Sequence, residues 1–301
     1  MCQTSRYINL FTDFGFKKIF GDPENTALLK SLLNDILQFE DDKKIKEIVF
    51  KNGELLPDAP EDRKAIIDLM CEDENGEQFI VELQKVSQEH FQSRALYYTS
   101  FPIQQQGIKG GWNFELTPVY FIGLLNFEID RFKHKKEYLH HGKIIDIYTK
   151  ETMYDKLNMI YLEIPKLKKT KEELSNHLEW WMYIFQNLHY MSDIPKEIKN
   201  DIIKDTFTRA EFISMPKDEQ DNYHKNLKVY RDLVNSFDFA YKDGLEQGVK
   251  QGIQKGVEQG IEQGIELEKQ EIAKLSIKQG LDNITICAIT GLSIDEIKSL
   301  K

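Results

Sequence analysis

Asp68 stands inside an otherwise apolar run, Ala65-Ile66-Ile67-Asp68-Leu69-Met70-Cys71. A second run, Gln78-Phe79-Ile80-Val81-Glu82-Leu83-Gln84, carries Glu82 and Gln84 two positions apart. A carboxylate within a hydrophobic strand is costly unless it is paired or bound to a cation. Side chains alternate faces along a strand, so Glu82 and Gln84 share one face and Val81 and Leu83 the other. Between the runs lies Asn75-Gly76, a hairpin signal, because the tightest turns need positive φ at both central positions. Folding the runs together brings Asp68 opposite Glu82. Two converging carboxylates suit a hard divalent cation such as Mg²⁺, which takes oxygen ligands and keeps several waters. On spacing alone the alternative is a solvated edge of a mixed sheet.

These residues need elements that hold them. Asp22-Pro23-Glu24 reads as a helix start, with Pro in the first turn, and Ala27, Leu28, Leu32, Leu33, Ile36 and Leu37 recur at helical intervals, predicting a helix over 24–38. A first strand is expected over 46–50, and the hairpin adds two more over 65–71 and 78–84. A helix over 86–106 is ended or bent by Pro102. The continuous apolar run 118–126 has the pattern of a strand buried on both faces, and a fifth strand is expected from Met159 to Ile164. Phe11, Phe14, Phe16, Ile19 and Phe20 sit at mixed spacing and define no element. From 170 the pattern becomes helical, with Leu178, Trp181, Ile184 and Phe185 on one stripe. Trp180, Trp181 and Tyr183 are expected in the core rather than stacked on bases.

Asp68, thirteen residues, then Glu82-Leu83-Gln84 resembles the active-site core of PD-(D/E)XK nucleases. The wider chain resembles the recombination-promoting nucleases, or PD-(D/E)XK nuclease family transposases, through Phe11 to Gly21, Gln88 to Tyr98 followed by Gln104, Gln105 and Gly107, Pro118 to Leu125, and Tyr161 to Lys166. The resemblance implies an α/β fold with a restriction-endonuclease-like core of order αβββαβ over residues 1–169, and a helical extension over 170–242. It implies a DNA endonuclease that hydrolyses phosphodiester bonds and promotes recombination, with Mg²⁺ as cofactor and Mn²⁺ or Ca²⁺ as substitutes. Asp68 and Glu82 would be the metal ligands, with the backbone carbonyl of Leu83 as a third. Gln84 occupies the place where many nucleases of this superfamily carry Lys; it can orient a water but supplies no charge.

Accessory candidates follow from the same comparison. Lys64, four residues before Asp68, would share its face if the strand extends that far; otherwise it is an exposed loop lysine. Glu24 would be the helix-borne acid some such nucleases use, or an ordinary acid at a helix N-terminus. Arg94, with Tyr97 and Tyr98 one turn on, would contact a phosphate or cap Glu82. Pro57-Asp58 is a literal Pro-Asp pair, but it lies in a loop-like run, Leu56-Pro57-Asp58-Ala59-Pro60, so Asp68 is preferred. The competing function is a catalytically weak or inactive DNA-binding scaffold.

A net charge of −10 argues against general coating of nucleic acid, which needs Lys and Arg to neutralise phosphates. Lys133 to Lys136 and Lys166 to Lys171 remain candidate phosphate contacts, or solvated loops. Three well-separated cysteines, Cys2, Cys71 and Cys287, give neither a disulfide framework nor zinc-ligand spacing. No membrane span and no secretion signal are visible, which points to the cytoplasm.

Residues 243–271 repeat glycine every four positions from Gly244 to Gly264, each followed by an aliphatic residue from Leu245 to Ile265. Each interior glycine costs about 0.8–1 kcal/mol relative to Ala. Close packing against a second copy would offset that, so residues 244–265 are expected to carry homo-oligomerisation, with a flexible linker as the alternative. Residues 272–301 are expected to form a small helical cap resembling a helix-turn-helix, with a capping box at Ser293-Ile294-Asp295-Glu296.

Overall fold

The computed structural model describes residues 5–55, 65–107 and 113–300. Its elements run α1 (Asp13–Phe20), α2 (Ala27–Leu37), β1 (Ile48–Phe50), β2 (Glu54–Leu55), β3 (Ala65–Ile66), β4 (Leu69–Asp73), β5 (Gln78–Gln84), α3 (Phe91–Gln105), β6 (Val119–Leu125), β7 (Leu139–Ile145), β8 (Thr152–Glu163), α4 (His177–Asn187), α5 (Asp201–Arg209), α6 (Lys217–Lys278), α7 (Asn283–Thr290) and α8 (Ile294–Ser299). Six strands form one mixed sheet in the order β1-β4-β5-β6-β8-β7. Strands β1, β4 and β5 are antiparallel neighbours, β5–β6 and β6–β8 are parallel, and β7 returns antiparallel along β8. Within this α/β fold the succession α2-β1-β4-β5-α3-β6 has the expected order αβββαβ.

The sheet separates two apolar layers. On one face Val81, Leu83, Ile122 and Leu124 pack with Phe16, Phe20, Leu29, Trp181 and Phe185 from α1, α2 and α4. On the other Ile80, Phe121, Leu125 and Tyr161 pack with Ala95 and Phe101 of α3. Trp181 is fully buried and its indole N–H donates to Asp35 Oδ2 at 2.8 Å, so the tryptophan pair builds core. Cys71 is buried too, and burial pushes its thiol up to about 12, leaving it unreactive.

Several boundaries differ from the sequence reading. The mixed Phe spacing near the N-terminus is the helix α1: Thr12 caps it by accepting from Gly15 N–H. That cap requires glycine at 15, where a Cβ would lie 2.3 Å from Asn9 O and 2.8 Å from Thr12 Oγ1. Gly15→Ala is expected to cost about 1–3 kcal/mol by overpacking, read by chemical denaturation. Helix α2 begins at Ala27 rather than Glu24, because Asp22 Oδ1 and Asn25 Oδ1 hold the preceding backbone N–H groups in turns. Helix α3 continues past Pro102. The last strand starts at Thr152, and β7, an exposed edge strand, was not foreseen. The hairpin between β4 and β5 closes through four residues, not two. Asp73 Oδ1 accepts from Asn75 N (2.9 Å) and Glu77 N (2.8 Å), and only Gly76 has positive φ, at 77°.

The chain divides into two compact units, residues 1–235 and 236–301. In the second, Ala273, Ile286, Leu292 and Ile297 form a small core, and Ser293 and Glu296 make the expected capping box. The glycine stripe on α6 has open space around every position from Gly244 to Gly264, and Val249, Ile253 and Val257 beside it are more than half exposed. Among the described residues no helix is long and apolar enough to cross a membrane.

Candidate functional site

Strand β5 presents Glu82 and Gln84 on one face, as its alternation requires, while Leu83 enters the opposite apolar layer. Asp68 is not within a continuous strand. The run 65–71 breaks at a bend between β3, which pairs with β2, and β4. The break has a local cause. Asp68 N–H donates to Glu82 Oε1 at 3.1 Å, and Asp68 Oδ2 accepts from Leu83 N–H at 2.8 Å, so the bend is bound side chain to backbone in both directions. This brings the two carboxylates together, as the sequence anticipated, and holds both against the same strand. For Leu83, the contact seen is through its N–H.

A relay extends from the pair. Gln84 Nε2 donates to Glu82 Oε2 at 3.2 Å, and Gln84 Oε1 accepts from Arg94 at 2.7 Å. A second guanidinium nitrogen of Arg94 donates to Gln88 Oε1 at 2.8 Å. Arg94 thus meets Gln84 rather than capping Glu82 directly. It supplies from α3 the positive charge that Gln84 lacks. Tyr97, one turn on and 44% exposed, packs edge-on against Phe101, ring centroids 5.1 Å apart.

The other candidates fall elsewhere. Glu24 is exposed in the turn before α2, so it is not a helix-borne acid. Lys64 and the Pro57-Asp58 pair lie outside the described residues. Lys166 is no phosphate contact: it is buried and paired with Glu163, while Lys169 pairs with Glu179.

Two residues on α1 were missed. Asp13 and Lys17 are four apart and therefore on one edge of the helix; Lys17 acts electrostatically on both carboxylates and Asp13 on Asp68, and Asp13 Oδ1 is bound by Lys85 Nζ at 2.7 Å. Lys85 points away from Gln84, as alternation demands, yet reaches the site's surroundings through Asp13. The signal was present in Thr12-Asp13, a capping residue followed by a first-turn acid, but the irregular Phe spacing obscured the helix.

Both carboxyls are held above their ordinary range. Burial, then the charge of Asp68, pushes Glu82 up to about 8; its bond from Asp68 N–H and the Arg94 and Lys17 charges pull the other way. Burial foremost also raises Asp68, with Asp13 adding to the rise. Among the described residues no group of three His, Cys, Asp or Glu gathers, and the donors seen together are the two carboxylates, Asp68 and Glu82. That donor set fits Mg²⁺, which is commonly held by one or two carboxylates with water and phosphate oxygens completing its shell.

A stability prediction follows. An acid whose folded pKa lies above its unfolded value binds more protons when folded, so stability falls as pH rises from the ordinary 4.5 of Glu82 toward its folded value of about 8. Glu82→Gln removes that penalty. In EDTA the variant is expected to unfold at a higher temperature than wild type above about pH 8, with the gap closing as pH falls toward about 4.5. Thermal unfolding across that range checks it.

Comparison with known protein families identifies this arrangement. The family model described as PD-(D/E)XK nuclease family transposase matches residues 10–240, a span holding α1, the hairpin, Arg94 and the whole sheet. No curated protein matches, and no solved structure does.

Proposed function

Because the chain belongs to the PD-(D/E)XK nuclease family transposases, we propose that it is a divalent-metal-dependent DNA endonuclease that hydrolyses phosphodiester bonds and so promotes recombination. The observation that carries this reading is the Asp68–Glu82 pair, Glu82 buried and Asp68 half-buried, tied through Gln84 to Arg94. Asp68 and Glu82 hold the metal, with the Leu83 carbonyl as a third oxygen. Mg²⁺ is the expected ion, and Mn²⁺ or Ca²⁺ the substitutes. A cation there stabilises charge on the scissile phosphate and lowers the pKa of a coordinated water. Gln84, held by Arg94, orients a water or a phosphate oxygen on the same strand face. Arg94 contributes fixed positive charge beside the phosphate, a role suited to a guanidinium that keeps its charge at any relevant pH. Lys17 and Asp13 set the balance of charge from α1.

The enzyme acts on DNA in the cytoplasm and self-associates through residues 244–265. The support is the glycine stripe with open space beside it and the half-exposed aliphatic stripe that accompanies it. Incubation with supercoiled plasmid tests the activity. Nicking that appears with Mg²⁺ or Mn²⁺ and disappears with EDTA is the expected result. Folded protein that cleaves under none of Mg²⁺, Mn²⁺ or Ca²⁺ would leave the family fold as a DNA-binding scaffold.

A further inference from the structure

A large cavity lies away from the carboxylate pair. It measures about 820 Å³ and is walled by the segments around Phe11 and His189 and by the start of α6. The chain has 50 acidic residues against 40 basic ones, yet among the described residues no carboxylate lines this cavity. Arg231 and Lys168 line it instead. Lys168 reaches Glu128 only at 3.8 Å, and among the described residues Arg231 has no ion-pair partner.

The rest of the lining is ring and amide. His189 and Tyr190 rings lie 3.9 Å apart by centroid, and Tyr190 is 78% exposed. His189 Nδ1 is buried and among the described residues has no hydrogen-bond partner, a costly state that a ligand would relieve. Burial and the Arg231 charge hold that ring down to about 4, so it is neutral at neutral pH and can recognise an uncharged edge. Tyr230 OH accepts from Asn126 Nδ2 at 3.3 Å. Asn126 is joined to the catalytic strand, its N–H donating to Gln84 O at 2.9 Å.

We propose that this cavity binds a nucleotide, its base against the His189, Tyr190 and Tyr230 rings and its phosphate on Arg231 and Lys168. Guanidinium groups match phosphate oxygens bidentately, and bases stack on aromatic side chains with little sequence preference. The volume falls in the usual range for a small-molecule site and exceeds the need of one nucleotide. The same chemistry is met by a free nucleotide or by one nucleotide of a DNA strand. The inference does not depend on cleavage at Asp68.

Calorimetric titration of the full chain in EDTA tests it, with deoxynucleoside 5′-monophosphates, a short single-stranded oligodeoxynucleotide and inorganic phosphate as probes. Binding of a monophosphate, or of the oligonucleotide alone, is expected; the first outcome indicates a free nucleotide and the second a strand. Arg231→Ala should weaken that binding by about tenfold or more, while Arg231→Lys keeps part of it. Arg231 is exposed, so its replacement leaves the fold intact. The proposal fails if neither nucleotide probe binds, if Arg231→Ala binds as tightly as wild type, or if inorganic phosphate binds as well as the nucleotide.

Discussion

Asp68→Ala is expected to lose plasmid cleavage by at least about a thousandfold, because transition-state charge stabilisation is commonly the largest catalytic term. The variant removes half of the donor set and also the oxygen that accepts Leu83 N–H at 2.8 Å. Glu82 then stands alone beside Gln84. Binding of DNA should change far less than turnover, because contacts remote from the reacting phosphate remain. Asp68→Asn separates the two contributions: its amide oxygen can still accept from Leu83 N–H, but it brings no charge. Both variants are expected to be inactive. With the bend preserved, Asp68→Asn should unfold no earlier than wild type in EDTA. Equal loss of folding in both would assign the effect to structure instead.

Glu163→Ala is expected to destabilise the protein by about 3–5 kcal/mol, the cost of breaking a buried ion pair from one side. Glu163 at the end of β8 is fully buried. One carboxylate oxygen meets His140 Nε2 at 2.7 Å and Lys166 Nζ, and the other accepts from Ile129 N–H. Lys166, whose side chain is only 5% exposed, also donates to Phe132 O at 2.7 Å and Glu137 O at 3.1 Å. Removing the carboxylate leaves an uncompensated ammonium among backbone carbonyls. The double variant Glu163→Ala, Lys166→Met should recover much of the loss, since replacing both partners by apolar groups avoids the stranded charge. Urea denaturation of the two single variants and the double one decides this. An undiminished loss in the double variant would mean that the Ile129 and His140 contacts, rather than the ion pair, carry the stability.

Much of the site could be seen in the sequence because strands advertise themselves by alternation and apolar runs. Glu82 and Gln84 share a face for that reason, and β6 reads plainly from its unbroken apolar run, all seven residues of which are buried. Asp68 was placed opposite Glu82, but its bend was not readable. The bend arises from a side chain gripping backbone N–H groups across the ladder, which no period encodes. Strand β7 escaped notice because an exposed edge has no buried face to impose alternation. Its partner β8 was read short for the same reason: its first half is exposed beside that edge. Helix α1 was hidden by aromatic residues that pack in several directions, and with it the roles of Asp13 and Lys17. Glu24 was misassigned because Asp22-Pro23 suggested a cap, whereas the side chains of Asp22 and Asn25 build turns there. Arg94 is a candidate in the sequence, yet its partner depends on tertiary geometry: it reaches Gln84 and Gln88, completing a hydrogen-bond chain to Glu82.

Calorimetric titration of Mn²⁺ into metal-free wild type and Asp68→Asn, at pH values on either side of about 8, tests the metal site most directly. The expected result is one site per chain in wild type, weaker at the lower pH where Glu82 holds its proton and accompanied by proton release there, with binding lost in the variant. Equal Mn²⁺ binding by the two proteins would contradict the assignment of the metal to the Asp68–Glu82 pair.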